Sequence, residues 1–248
     1  MYTNITAVAL RTVRHNDRSS ILTAWSPSVG RLSLIMPAGK GKESQRRRAI
    51  TMPLSLFEGT VDIRRNTELL MVRDMKAWTS EGTRFDVSSH PVRSAVAMFI
   101  AEVLSVVTRE GDADKVLWNL ITETVSSISS GSSTVLSNIP VMFLLRLAGV
   151  LGIEPDYSEW HQNSGFDMLE GTFRRTRSLH DYWISSDQIR PVIILSKAAV
   201  GYRHAGIIHL PHSVRSNILN GVLGFFSLHH FPMNRLRSLD ILKTIFAT

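Results

Sequence analysis

The chain has 248 residues, of which 44% are hydrophobic and 20% charged, a balance typical of a folded protein with a substantial apolar core. It contains no cysteine, which excludes disulfides, thiolate catalysis and cysteine-ligated zinc or iron–sulfur sites. The formal net charge is +7, and the excess lies in residues 1–77, which hold 13 Lys and Arg against 6 Asp and Glu; residues 78–248 hold 15 of each. This asymmetry predicts a polyanion-binding module joined to a neutral one.

The first third of the chain predicts a small all-β domain. Five short segments rich in β-branched and other apolar residues are separated by turn-forming residues: ITAVALRTV, SSILTAWS, SVGRLSLIM, LSLFEGTVDIRR and ELLMVRDMKAW. Their spacing is that of a five-stranded barrel or sandwich. Between the third and fourth segments lies AGKGKESQRRR, which has five positive side chains and one negative one, and which we predict to be a flexible loop.

The remainder of the chain predicts helices. Residues 78–91 show no clear period and end in proline, so we place a boundary there, with predicted domains at 1–80 and 81–248. Helical spacing follows in VRSAVAMFIAEVLSVVTRE, ADKVLWNLITETVSSIS, IPVMFLLRLAGVLG, SDQIRPVIILSKAAV, SVRSNILNGVLGFFSLHH and LRSLDILKTIFA. Pro140 and Pro191 favour positions at the starts of their helices. FDMLEGTF is a candidate hairpin around Glu170 and Gly171. The predicted fold class is therefore α+β, a β-barrel followed by an all-α domain.

The basic residues of the first third are candidate phosphate ligands. Cations on a flexible loop can bind a nucleic acid backbone and release counterions, which gives affinity without reading the bases. The alternative is a solvated surface loop. The DNA-binding candidates are, in the first rank, Lys40, Lys42, Arg46, Arg47 and Arg48 and, in the second rank, Arg11, Arg14, Arg31 and Arg64.

No catalytic or metal-binding pattern stands out in the sequence. Glu43 follows Gly41-Lys42 where a nucleotide-binding loop needs Ser or Thr, and the nine histidines show no ligand spacing on a helix, so we expect no enzyme, no cofactor and no metal. Phe57 is predicted to be a core residue, whereas Trp25 either packs in the core or stacks on a base. No segment approaches the roughly 20 apolar residues of a membrane span, and no secretory signal is recognisable, so a cytosolic protein is expected.

A series of motifs, in order along nearly the whole chain, resembles the RecO family of bacterial DNA repair and recombination mediators. VALRTVRHNDRSSILTAWSPSVGRLSLIMPAGKGK is similar to the opening strands and basic loop of that family, and MPLSLFE to its next strand. Later elements are similar to AVAMFIAEVLSVVTREGDAD, LLRLAGVLGIEPD, FDMLEGTF and LRSLDILKTIF. The lack of cysteines resembles the Bacteroidetes-like members, so the zinc cluster of some relatives is not transferred to this chain.

The resemblance implies an N-terminal OB-fold and a C-terminal helical domain. It implies binding of single- and double-stranded DNA, annealing of complementary strands without ATP, and action with RecR to load RecA onto strands coated by single-stranded-DNA-binding protein (SSB), in the cytoplasm and at the nucleoid during repair. The C-terminal tail of SSB is expected to dock on the helical domain, with Phe143 and Arg146 as candidate contacts. Gly41-Lys42-Glu43 stands where the family more usually has an alanine–arginine pair, so the DNA-binding role transfers to the basic segment rather than to any one residue.

Two other interpretations remain open at this point. The basic segment could bind an acidic protein, which would make the chain a protein–protein adaptor. Alternatively, the barrel could belong to an RNA-associated OB-fold protein, which competition between RNA and DNA would reveal because discrimination requires contacts to the 2′-hydroxyl.

Overall fold

The computed structural model describes residues 2–62, 69–80, 83–198, 202 and 205–247. The chain forms two compact units, Met1–Ser129 and Ser130–Thr248. The first unit has 17 Lys and Arg against 13 Asp and Glu, and the second has 11 against 8, so the units carry +4 and +3. The predicted second domain is neutral only if the chain is divided near residue 80, and that domain boundary stays a prediction.

Five strands of the first unit close into a barrel. They are β1 (Tyr2–Arg14), β2 (Ser19–Ser26), β3 (Gly30–Pro37), β4 (Leu56–Asp62) and β5 (Leu70–Ala77), in the order β1-β2-β3-β5-β4. β3 and β5 pair in parallel, and the other pairs are antiparallel. β1 pairs with β4 through its first half and with β2 through its second half, and an irregularity lies between Ala9 and Arg11. This confirms the predicted five-stranded barrel and its OB-type order.

The barrel interior is filled by alternate residues of each strand. Leu32, Leu34 and Met36 of β3 are buried and their neighbours are less so, which is the period-2 pattern of a half-buried strand. Phe57 of β4 is fully buried, as predicted, and Trp25 of β2 is only 1% exposed. Trp25 is therefore a core residue whose ring is packed, and it offers no free face to a base.

Three helices lie among the described residues of the first unit. They are α1 (Lys42–Ile50), α2 (Pro91–Val107) and α3 (Lys115–Ser130), and a two-stranded sheet of β6 (Thr79–Ser80) and β7 (Thr83–Arg84) precedes α2. α2 begins at Pro91, and the His90 side chain accepts a hydrogen bond from the Val92 amide. The prediction of a flexible loop over Ala38–Arg48 is wrong for most of its length, because α1 starts at Lys42.

The end of α2 and the segment after it are fixed to the barrel by main-chain carbonyls. The guanidinium of Arg31 on β3 donates to the Ser105 carbonyl at 2.9 Å, and its amide donates to the Arg109 carbonyl at 3.1 Å. Trp25 donates from Nε1 to the Asp112 carbonyl at 3.1 Å. Gly30 lies so close that a Cβ there would be 2.7 Å from the Asp112 amide nitrogen. The cation of Arg31 thus satisfies carbonyls at a helix C-terminus, where positive charge is favourable.

The second unit contains α4 (Ser133–Val150), β8 (Gly165–Asp167), β9 (Thr172–Arg174), β10 (Trp183–Ile184), α5 (Ser186–Ala198), α6 (His212–Leu228) and α7 (Ser238–Ala247). Its core is formed mainly where α4 packs against α6 and α5. β8 and β9 form the predicted hairpin, and Gly171 in its turn has a φ of +67°. β10 was not predicted; it pairs with the other side of β8, so the sheet order is β10-β8-β9.

Both proline predictions for the second unit are wrong. Pro140 lies well inside α4 and Pro191 well inside α5, rather than at their starts. A proline removes one helical hydrogen bond and strains the preceding turn, at a cost of about 3 kcal/mol in an isolated helix. In α4 that cost is offset by burial, because every residue from Leu136 to Leu145 is buried.

α4 is also, within the described residues, the helix that is long and apolar enough to cross a membrane by length and composition. The sequence-based expectation that no segment approaches such a span is thus corrected for α4. However, 67% of its apolar window is buried inside the protein, as in the core helix of a globular unit.

The carboxylate of Asp167, at the end of β8, organises the hairpin and the loop after it. Asp167 is 1% exposed, and it accepts hydrogen bonds from the amides of Leu169 and Glu170 and from the Ser178 hydroxyl. His180 Nε2 lies 3.3 Å from Asp167 Oδ1. Burial by itself raises the pKa of the Asp167 carboxyl, but these hydrogen bonds and the charge of His180 outweigh burial and hold the pKa below its usual value.

We expect Arg31→Ala to lower the free energy of unfolding by about 2 kcal/mol, because the Ser105 and Thr108 carbonyls, which accept from the Arg31 guanidinium at 2.9 and 3.4 Å, lose a charged donor. Urea denaturation at pH 7 measures this change. Arg11→Ala is the matched control, since Arg11 is exposed on β1 and is expected to change stability little. Equal stability of the two variants would contradict the structural role of Arg31.

We expect Asp167→Asn to destabilise the protein by about 2 kcal/mol at pH 7 through weakened charged hydrogen bonds. Because the folded pKa of Asp167 lies below the unfolded value of about 3.9, the ionised carboxylate stabilises the fold above about pH 4. That contribution is lost as the pH falls through the folded pKa. Denaturation at pH 7 and pH 3 should therefore show the wild type and the variant converging at low pH, whereas a constant difference would refute this account.

Candidate nucleic-acid interface

The basic segment forms helix α1 because its residue types favour a helix and its C-terminus is capped by Thr51. Lys, Glu, Gln, Arg and Ala, which occupy most of Lys42–Ile50, have high helix propensities, and the only β-branched residue is Ile50 at the last position. At the C-terminus, the amide and the hydroxyl of Thr51 both donate to the Arg47 carbonyl at 3.0 Å. Glu43 in the first turn and Arg47 and Arg48 in the last complement the helix dipole.

Helix α1 is polar on all sides and touches the core through one residue. Ile50 is 3% exposed and belongs to the cluster of buried side chains inside the barrel. The rest of the helix is exposed or half-buried. The helix therefore lies on the barrel as a surface element that carries cations into solvent.

A groove of about 320 Å³ lies between α1, the end of β3 and the β1–β2 turn. Arg14 from the end of β1 lines it together with Lys40, Arg47 and Arg48, and Asp17 contributes the acidic side chain of its wall. Two contacts hold the walls together. The Ala38 amide donates to the Arg18 carbonyl at 2.8 Å, and the Thr12 hydroxyl donates to the Thr51 carbonyl at 3.3 Å. We call this feature the basic groove.

Two arginines of the groove are held by carbonyl oxygens. Arg47 Nη1 donates to the Pro37 carbonyl at 3.3 Å, and Arg48 Nη1 donates to the Gly39 carbonyl at 3.0 Å. A carbonyl orients a guanidinium but does not neutralise it. Partial neutralisation comes from Glu43, whose carboxylate lies 3.7 Å from Arg47 Nε, and from Asp17, which pairs with Arg14 on the exposed turn.

The side chains of three further cations of this region make no hydrogen bond or ion pair with another described residue: Lys40, Lys42 and Arg46. All three are exposed. They are therefore available to an anion without first breaking an internal contact, which makes them the sharpest positions for mutagenesis.

The structure brings some of the predicted site residues together and separates others. Arg14, Lys40, Arg47 and Arg48 line the groove, Lys42 and Arg46 lie on α1, and Arg11 is exposed on β1 opposite Thr23. Arg31 lies at the other end of β3, six residues or about 20 Å along the strand from Pro37, where it holds the end of α2. Arg64 lies outside the described residues.

The two candidate partner contacts occupy different environments. Phe143 is 0% exposed in the core of the second unit, so the structure places it where a partner cannot reach it without rearrangement. Arg146 lies with its guanidinium carbon 5.0 Å from the centre of the Tyr202 ring, in a cation–π contact. Arg146 is half-buried and stays a candidate.

Sequence reasoning found the cations of this site but missed the polar groups between them. Thr12, Ser20, Ser44 and Thr51 also line the groove, and nothing in their local sequence distinguishes them from other surface hydroxyls. Within the described residues, no three His, Asp or Glu side chains converge as a metal site would require. The chemistry that the groove offers is therefore the binding of an anion by guanidinium, ammonium and hydroxyl groups.

Comparison with known proteins gives matches across most of the chain. Residues 1–80 match the family model described as Recombination protein O N terminal, and residues 88–184 match Recombination protein O C terminal. The DNA repair protein RecO of Bacteroides fragilis is 27% identical over 242 residues, which cover 96% of this chain and 97% of that protein. The proteins of the same name from Phocaeicola vulgatus and Porphyromonas gingivalis are 26% and 25% identical, and each alignment covers 97% of both chains.

We expect Ile50→Ala to loosen α1 from the barrel, because it removes the buried side chain of that helix. Replacing a buried isoleucine by alanine costs about 2–5 kcal/mol. Amide hydrogen exchange over residues 42–48 should become faster than in the wild type, while Gln45→Ala, at an exposed position of the same helix, should leave it unchanged. Unaltered protection in Ile50→Ala would show that other contacts hold the helix.

Proposed function

The chain belongs to the RecO family of DNA repair proteins, and on that basis we propose that it is a non-enzymatic recombination mediator that binds DNA through the basic groove and α1. The observation that supports this proposal best is the clustering of Arg14, Lys40, Arg47 and Arg48 around one groove, beside the unpaired cations of α1. Among the described residues that line the groove, Asp17 is the one acidic side chain, which is too few to neutralise these four basic side chains.

The proposed mode of binding is contact with phosphates. Guanidinium groups bind phosphate oxygens with two parallel hydrogen bonds, and lysine ammonium groups add unspecific positive charge. Such contacts position a strand without reading its sequence. Both single- and double-stranded DNA present the required phosphates, so the groove can accept either form.

Annealing of complementary strands follows from the same physics. Cations that neutralise phosphates on two approaching strands reduce the repulsion between them, and base pairing then proceeds without ATP. Action with RecR, docking of the SSB tail and loading of RecA onto SSB-coated strands are the further steps that family membership suggests. We place this activity in the cytoplasm, at the nucleoid.

A matched pair of double variants tests the proposal. Lys40→Gln/Arg46→Gln removes two exposed charges beside or on α1, and Arg109→Gln/Lys115→Gln removes two exposed charges elsewhere in the same unit. Both variants have the same net charge. We measure binding of a labelled single-stranded oligonucleotide across a salt series, after checking by circular dichroism that both proteins are folded.

We expect the α1 variant to lower the log–log salt slope by about 1.4, since each lost contact to a single strand contributes about 0.7. If the lines converge near 1 M salt, this slope difference weakens binding roughly 25-fold at 0.1 M salt. The control variant should follow the wild type. Equal salt slopes and affinities of the two variants would show that the groove does not bind DNA. Weak DNA binding by the wild type itself would favour the interpretation as a protein–protein adaptor.

A further inference from the structure

A second group of cations lies in the other unit, on the last residue of β9 and on the segment that connects β9 to β10. We call Arg174–Tyr182 the arginine loop. Arg174, Arg175 and Arg177 are exposed, and their side chains make no hydrogen bond or ion pair with another described residue. They line an open groove with His161 and with Glu159, which is the acidic side chain of that wall. Sequence reasoning missed these residues, although three arginines in four positions are a visible signal.

The arginine loop is fixed in place by the buried carboxylate of Asp167. β9 and β10 flank β8 on opposite sides. β9 ends at Arg174, opposite Gly165, and β10 begins at Trp183, opposite Asp167, so the connection between them runs to the end of β8 where Asp167 lies. There the Ser178 hydroxyl donates to Asp167, and His180 lies 3.3 Å from it. These two contacts, on either side of Leu179, hold the middle of the loop against the sheet.

This anchoring distinguishes the arginine loop from an ordinary charged surface segment. A flexible charge run loses conformational entropy when it binds, whereas a loop that is already ordered loses less. Asp167 is 1% exposed, and its carboxylate is contacted by four donors. It therefore orders the loop without forming an ion pair with the arginines. The guanidinium groups remain directed at solvent.

Three unpaired guanidinium groups in close succession fit a chain of phosphates. The unit that carries them has a net charge of +3, which favours a polyanion over a single small anion. The basic groove lies in the first unit and the arginine loop in the second, so each unit carries a cationic surface of its own.

We propose that the arginine loop is a second phosphate-binding surface, and that it holds a second nucleic acid strand while the basic groove holds the first. This inference rests on the proposed function of the groove. Two strands bound to one molecule meet at a raised effective concentration. The arginine loop is therefore the feature that turns a DNA-binding protein into one that brings strands together.

The test uses the full chain and two oligothymidine strands, which cannot pair with each other. One strand is biotinylated and immobilised, the protein is bound to it, and capture of the second, fluorescent strand is measured. Arg175→Gln/Arg177→Gln is compared with Arg190→Gln/Arg235→Gln, which removes two exposed charges elsewhere in the same unit. Sedimentation measures the mass of each protein, so that self-association cannot be mistaken for bridging.

The wild type should bind the first strand and capture the second. Arg175→Gln/Arg177→Gln should bind the first strand within about twofold of the wild type but capture the second roughly 25-fold less well at 0.1 M salt, for the loss of two phosphate contacts. The control variant should do both as the wild type does. Strong loss of capture in the loop variant alone establishes the second surface.

Three other results would overturn the inference while leaving the proposed function intact. The first is binding of one strand by the wild type without capture of a second. The second is equal capture by the loop variant and the control. The third is unchanged capture together with lost binding of an oligo-aspartate peptide, which would assign the loop to an acidic protein. By contrast, failure of the wild type to bind even the first strand would refute the proposed function itself.

Discussion

The parallel pairing of β3 with β5 is the constraint on which the position of the basic groove depends. Because β4 pairs with β1 and not with β3, the chain that leaves β3 at Pro37 must cross the barrel before it can enter β4 at Leu56. Helix α1 makes this crossing. The closure of the barrel therefore decides that the cations of α1 lie beside the end of β3 and the β1–β2 turn, where Arg14 joins them.

Both surfaces keep their positive charge because few of their basic side chains are paired with carboxylates. In the groove, Arg47 and Arg48 are oriented largely by carbonyls, which fix a guanidinium without cancelling its charge. In the second unit, the organising carboxylate is buried and bonded to other donors. In each case the protein orders the basic side chains but leaves most of their charge unneutralised and exposed. Such a charge attracts a polyanion over a long range.

Sequence patterns were sufficient for the five barrel strands but not for the short strand β10 or for several helical features. Apolar and polar residues alternate along the barrel strands, and this pattern can be recognised without knowing which strands pair with each other. α1 was missed because a helix polar on all sides has no apolar period, and only residue propensity indicates it. Pro140 was misplaced because burial of α4 outweighs a local preference. Phe143 was offered as a surface contact because a core helix and a docking helix look alike in sequence.

Arg31 shows why a cation cannot be assigned to a site from sequence alone. It has the same residue type as the groove arginines and lies only six residues before Pro37, yet its guanidinium donates to a carbonyl 74 positions later in the chain. That pairing is created by the fold and leaves no local signal. For Arg175 and Arg177 the situation is reversed. The cluster of arginines is plain in the sequence, but only the folded sheet shows that the buried Asp167 orders the loop that carries them. A basic residue therefore becomes a credible phosphate ligand when the structure shows what holds it and that its charge is left uncancelled.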